Sequence, residues 1–98
     1  MDLGNAGLTE ASLVSKMEVY PNPAVDMINI EFELENALDA RINIFDAYGK
    51  MVGTVTPTTN MSGAQKFTYN TKELEGGMYF VSVISDKGAV TERFQVIR

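Results

Sequence analysis

The clearest alternation in the chain places Ile28, Ile30, Phe32 and Leu34 on one face and Asn29, Glu31, Glu33 and Glu35 on the other. A period of two held over that length means a strand with one buried and one solvated face. Residues 41–45 repeat the pattern after a polar bend at 35–39. Ala47, Tyr48, Gly49 and Lys50 then read as a hairpin turn, with Gly49 supplying the positive φ such turns require. Residues 51–55 are the return strand, and 56–63 a polar loop around Pro57. In 64–69 the alternation returns, with Phe67 and Tyr69 on one face, and 70–74 predicts a single helical turn across the end of a sheet. The strand at 78–84 alternates Tyr79, Val81 and Val83 against Phe80, Ser82 and Ile84. Asp86, Lys87 and Gly88 suit a three-residue hairpin loop with Gly88 left-handed, and 90–97 closes the pattern.

Ahead of these elements, residues 17–20 are a short extended piece ended by Pro21. Proline fixes its own φ and pushes the preceding residue towards extended geometry, so Pro21-Asn22-Pro23 holds the chain in one direction. Residues 1–16 are small, polar and glycine-containing, which predicts a linker tail before a single domain at 17–98. About seven short strands at regular spacing predict an all-β domain, an antiparallel β-sandwich.

Composition narrows the function. The 98 residues suit one domain, and an apolar fraction of 45% is ordinary for a globular chain. Eight basic and thirteen acidic residues give a net charge of −5, which disfavours nucleic acid, whose phosphates call for clustered Lys and Arg. There is no Cys and no His, so thiolate chemistry is excluded and the commonest general base and metal ligand are missing. No apolar run approaches the roughly 20 residues needed to span a bilayer as a helix, and no signal-peptide pattern is visible at the N-terminus.

The chemical candidates are thin. Glu31, Glu33 and Glu35 could supply a carboxylate pair for glycoside hydrolysis, but their alternation with apolar residues reads as the solvated face of one strand. Ser15 and Lys16 lack any motif that would make them a reactive pair. Asp39, Asp46 and Asp86 lie near loops without the spacing of a calcium site and read as turn formers. Asn60-Met61-Ser62 matches a glycosylation sequon and suggests an exposed loop. Neither a catalytic site, a metal site nor a cofactor is expected. Leu74, Gly77 and Tyr79 read as a corner in which Gly77 turns tightly, Leu74 plugs the core and the Tyr79 hydroxyl bonds back to the preceding chain. Tyr20, Phe45 and Tyr48 could alternatively stack on a sugar.

The order of these features resembles a known family. Tyr20-Pro21-Asn22-Pro23 after a linker, Tyr48-Gly49-Lys50 in a mid-domain hairpin, and Leu74 with Gly77-Met78-Tyr79-Phe80-Val81 precede a last strand ending on Arg98. This looks like the type A C-terminal sorting domain of the type IX secretion system, over roughly residues 17–98. The resemblance implies an immunoglobulin-like β-sandwich joined to an N-terminal cargo protein that crosses the outer membrane through the type IX translocon. It further implies removal by a sortase-like peptidase, with cleavage in 1–16, and attachment of the cargo to an anionic lipopolysaccharide. The cargo would pass through the periplasm to the cell surface or beyond. Translocon recognition would fall on Pro21, Asn22, Pro23, Gly49, Lys50, Gly77, Tyr79, Arg93, Phe94, Val96, Ile97 and Arg98.

The last strand would offer unpaired backbone groups for strand addition to a receptor, or for a strand-swapped homodimer. A noncatalytic carbohydrate-binding or spacer module of a secreted enzyme would share the same fold.

Overall fold

The computed structural model describes residues 14–98, with side chains except at 14–15, 35–38 and 56–60. Five strands follow one another: β1 (Val14–Tyr20), β2 (Met27–Asp46), β3 (Met51–Asn70), β4 (Gly77–Ser85) and β5 (Gly88–Val96). Every strand pair is antiparallel. β2 and β3 are 20 residues each, well beyond the usual strand of 5–6 residues, because each serves two sheets. The first leg of β2, residues 27–34, lies between β1 and residues 63–70 of β3. Its second leg, from residue 40 to 46, lies between the start of β3 and β4, with β5 beyond β4. Counted by legs, seven strands form two antiparallel sheets, of three and four strands, packed as a sandwich.

Several expectations change. The polar bend at 35–39 and the polar loop at 56–63 do not interrupt the strands, since Leu38 pairs with Met61 and Ala40 with Thr58. Repeated register shifts between Leu34 and Ile42 bend the hairpin over the edge of the sandwich instead. A polar stretch therefore marks a corner in a continuous ladder, and Met61 of the sequon is buried in β3. Residues 70–74 form no helix: the Leu74 N–H donates to the Thr71 carbonyl at 3.0 Å and the Lys72 N–H to Asn70 Oδ1 at 2.8 Å, which is a capped turn. In the last hairpin Ser85 pairs with Gly88, so the loop is the two residues Asp86 and Lys87 rather than three. The linker reading of residues 1–16 falls outside the described residues up to Leu13, and from Val14 the chain is in β1.

The alternating positions meet between the sheets. Ile28, Ile30, Phe32 and Leu34 on one sheet face Ile42, Ile44, Val81, Val83, Phe94 and Val96 on the other, all buried. Each such side chain contributes about 1.5–3 kcal/mol on burial. Phe32 stacks with Phe67 at a centroid distance of 6.1 Å and Tyr79 with Phe94 at 5.7 Å. Tyr69 reaches from one sheet to Gly53 on the other, where a Cβ would overlap its hydroxyl. The seam closes only over a glycine.

Candidate recognition end of the sandwich

Register brings the sequence-marked residues to one end of the molecule. Tyr20 pairs with Asn29 and Met27 with Asn70 at the edge of the first sheet, while Asp46 pairs with Tyr79 and Gly77 with Val96 on the second. Ala24 bridges Val96, which ties these two edges into a single end. The loop at 21–26, the hairpin at 47–50, the corner at 71–76 and residues 96–98 therefore lie together there.

The proline-flanked loop covers part of an open strand edge. Beyond β4, β5 turns its Gln95 and Ile97 backbone groups outward. The Gln95 N–H donates to Asn22 Oδ1 at 2.9 Å, the Ala24 N–H to the Gln95 carbonyl at 2.7 Å, and the Ile97 N–H to the Ala24 carbonyl at 3.0 Å. Pro21 and Pro23, which have no N–H, each precede one of the two residues, Asn22 and Ala24, that make these bonds. The expected free edge is thus closed over its last residues. Alternation leaves the backbone groups of Thr91 and Arg93 facing outward, and no strand pairs with them among the described residues. Beside them an open cleft of about 500 Å³ runs between β1 and β5, lined by Met17, Val19, Tyr20, Asn22, Glu92 and Arg93.

The corner is built as the sequence suggested. The Tyr79 hydroxyl donates to the Glu75 carbonyl at 2.7 Å, its ring stacks on Phe94, and Leu74 packs against the core. Gly77 has φ of 155°. Arg98 fastens the far side: Nε donates to the Leu74 carbonyl at 3.0 Å, Nη1 to the Val25 carbonyl and Nη2 to the Thr71 carbonyl. One guanidinium so joins the proline loop to the corner, a use that suits its rigid fork of donors. In the neighbouring hairpin, Gly49 has φ of 88° and Asp46 Oδ1 accepts the N–H groups of Tyr48 at 2.9 Å and Lys50 at 3.0 Å. Asp46 is a turn residue.

These residues fall into two populations. Tyr79, Phe94 and Val96 are buried, so no partner can read their side chains while the domain is folded. Pro21, Asn22, Pro23, Gly49, Lys50, Gly77, Ile97 and Arg98 are exposed at this end, and Arg93 is exposed further along β5. Sequence reasoning missed Thr71 and Ala24. Thr71 is fully buried, with its Oγ1 donating to the Val25 carbonyl at 3.2 Å and its N–H to the Asp26 carbonyl at 2.8 Å. It also missed that the exposed large apolar residues Val25, Met27, Tyr48, Met51, Met78 and Ile97 all sit at this end. Each is unremarkable alone, and only the register assembles them.

The other candidates are scattered. Glu31 accepts from the Tyr20 hydroxyl on the outer face of the first sheet, and Glu33 is exposed on that face. Phe45 lies on the outer face of the second sheet, so Tyr20 and Phe45 cannot share a sugar platform with Tyr48. The Tyr69 phenol is pushed above its ordinary pKa by burial and, secondarily, by Glu73.

Residues 18–97 match the family described as the secretion system C-terminal sorting domain. The chain belongs to this family. Sorting domains of this kind point to a noncatalytic role. The fold is similar to a part of PorZ, an essential bacterial surface component of the type IX secretion system of Porphyromonas gingivalis, with 24% identity and a TM-score of 0.66 over 92% of this chain. It is also similar to a part of a biofilm-associated protein described by its BSP domain, with 20% identity and a TM-score of 0.65 over 87% of this chain. The chain spans only 12% and 15% of those two structures, so the likeness is that of one domain's fold. No curated protein sequence matches the sorting domain.

Proposed function

We infer that this sorting domain is the C-terminal export signal of a larger cargo protein and directs that cargo across the outer membrane through the type IX system. The observation that carries the reading is the family match across residues 18–97. The convergence of the loop, hairpin, corner and residues 96–98 at one end supports it, because a receptor could read all four at once. On this reading the fold contributes recognition and no catalysis. The translocon engages the exposed members of the set, Pro21, Asn22, Pro23, Gly49, Lys50, Gly77, Arg93, Ile97 and Arg98. Tyr79, Phe94 and Val96 act by keeping those groups in place. Strand addition, if the receptor uses it, takes the outward backbone of Thr91 and Arg93, since Gln95 and Ile97 are already paired. A strand-swapped homodimer would first have to break the Asn22 and Ala24 bonds. Cargo passes through the periplasm, a sortase-like peptidase cuts within 1–16, and the cargo is joined to an anionic lipopolysaccharide at the surface.

The test fuses residues 1–98 to a periplasm-directed fluorescent reporter in a host with a working type IX system, beside a strain lacking the translocon. Translocon-dependent appearance outside the cell is the expected result. A folded, uncleaved reporter kept in the periplasm of both strains would overturn the reading.

A further inference from the structure

The outer face of the four-stranded sheet carries an apolar band. Cross-strand partners share a face, so Phe45 stands beside Met51 on one side and Phe80 on the other, with Met78 two residues along β4 from Phe80. Met51 is 55% exposed and Met78 39% exposed, while Phe45 and Phe80 are half-buried against their neighbours and stand outside the core cluster. No other element packs over this face among the described residues. A polar row, Thr54, Asn43, Ser82 and Thr91, bounds the band on the side away from the Arg98 end, held by hydrogen bonds of 2.9 Å and 2.7 Å between its members.

Charge separates this face from the rest of the molecule. The chain as a whole carries −5, yet the band is flanked by cations: Arg93 is the cross-strand partner of Phe80, and Lys50 precedes Met51 in the hairpin. Arg41 lies past the polar row, with Asp39 beyond it. Asp46, the carboxylate nearest the hairpin, accepts from turn N–H groups. On the opposite sheet the outward residues include Glu18, Glu31 and Glu33, with Lys66 the cross-strand partner of Glu31.

We propose that the band Met51-Phe45-Phe80-Met78, with Arg93 and Lys50 at its margins, is the docking face for a protein partner that presents an apolar patch rimmed by carboxylates. An isologous contact with a second copy would set like charges against one another, which disfavours self-association through this face. Four strands about 4.8 Å apart and about seven residues long at 3.3 Å each give a sheet face of roughly 450 Å². Even this whole face, polar row included, is below the roughly 800 Å² per partner of a stable complex. The contact is therefore weak and transient, as a signal released after use requires. The proposal deepens the sorting reading by naming the chemistry of the partner.

The experiment places the photo-crosslinker p-benzoylphenylalanine at Met51, or at Thr68 on the opposite sheet as control, in the full chain fused to the reporter in type IX-competent cells. The expected result is an adduct with another protein from Met51 and not from Thr68, lost in Arg93→Glu and Met78→Glu variants whose thermal unfolding matches the parent. Export of those variants should fall roughly tenfold, the scale of losing one anchor residue. A dimer of the chain as the Met51 adduct would overturn the proposal in favour of a second copy. Equal adducts from both positions, no adduct at all, or undiminished export of both variants would overturn it outright. Crosslinking decides the face and parental export decides the sorting reading, so a parental reporter that is not exported but still crosslinks from Met51 would keep the face and remove its role in sorting.

Discussion

On the three-stranded sheet the outward positions include Glu18, Tyr20, Asn29, Glu31, Glu33, Lys66 and Thr68, whereas on the four-stranded sheet Phe45, Met51, Met78, Phe80 and Ile84 stand outward beside the polar row Thr54, Asn43, Ser82 and Thr91. The inward residues that form the core are alike in the two sheets, aliphatic and aromatic. Both sheets obey the same alternation, so folding needs the inward set and is indifferent to the outward one. An antiparallel sheet with a solvated face is expected to be polar there, and the three-stranded sheet is. Large apolar residues on the other outer face add little to stability and expose the domain to association. What differs between the faces is therefore what each is for.

Substitutions should separate the two layers of this comparison by size. Phe32→Ala and Phe94→Ala, one inward residue from each sheet, should each cost about 3–5 kcal/mol, enough to unfold a small domain. Urea denaturation of the two variants checks it, and a mild effect at either position would mean that the sheets do not share one core. Gly53→Ala should cost about 1–3 kcal/mol by forcing Tyr69 from its place at the seam. Because the cause is a clash, adding Tyr69→Val should make the pair less damaging than the two single costs summed. Tyr79→Phe should lose about 1 kcal/mol with the bond to the Glu75 carbonyl, and an unchanged midpoint would mean that the bond does not hold the corner. The outward change Met78→Glu should move stability by no more than about 0.5 kcal/mol. A larger loss would show that the apolar band packs as core and is not a face left for a partner.

Legibility in the sequence followed from how far each signal reached along the chain. Ile28 to Leu34 declared their buried face because the opposite parity is polar. The corner was readable because Leu74, Gly77 and Tyr79 lie within six residues and each has a steric or hydrogen-bonding reason for its place. At 78–84 both parities are largely apolar, so alternation alone could not say that Tyr79, Val81 and Val83 point inward while Phe80 points out. The continuous strands through 35–40 and 56–63 are hidden because a polar stretch reads as a break, whereas register shifts let a ladder bend without ending. The closure of β5 by Asn22 and Ala24 joins residues more than seventy apart, and no local pattern announces it. Gly53 reads as an interruption in a strand until Tyr69 is seen against it.

The smallest effect expected is a pH dependence at the seam between the two sheets. Tyr69 starts from an ordinary value of 10.0 and is pushed above it by burial, with Glu73 adding to the shift. Its neutral form is favoured in the folded state, so the contribution is fully present below about pH 10. As pH rises past that value the unfolded chain gives up the Tyr69 proton first and binds fewer protons than the native state, and stability falls until the folded phenol also ionises. The ring is only partly buried, which keeps the loss small beside the packing effects above. Alkaline pH acts on the whole chain, so the measurement is the difference between the parent and Tyr69→Phe in urea midpoint from pH 8 to 11. The parent should lose stability more steeply above pH 10. Parallel curves would mean that the Tyr69 hydroxyl is as well solvated in the folded domain as in the unfolded chain, and would remove the close approach to Gly53 on which the joining of the polar-faced and apolar-faced sheets depends.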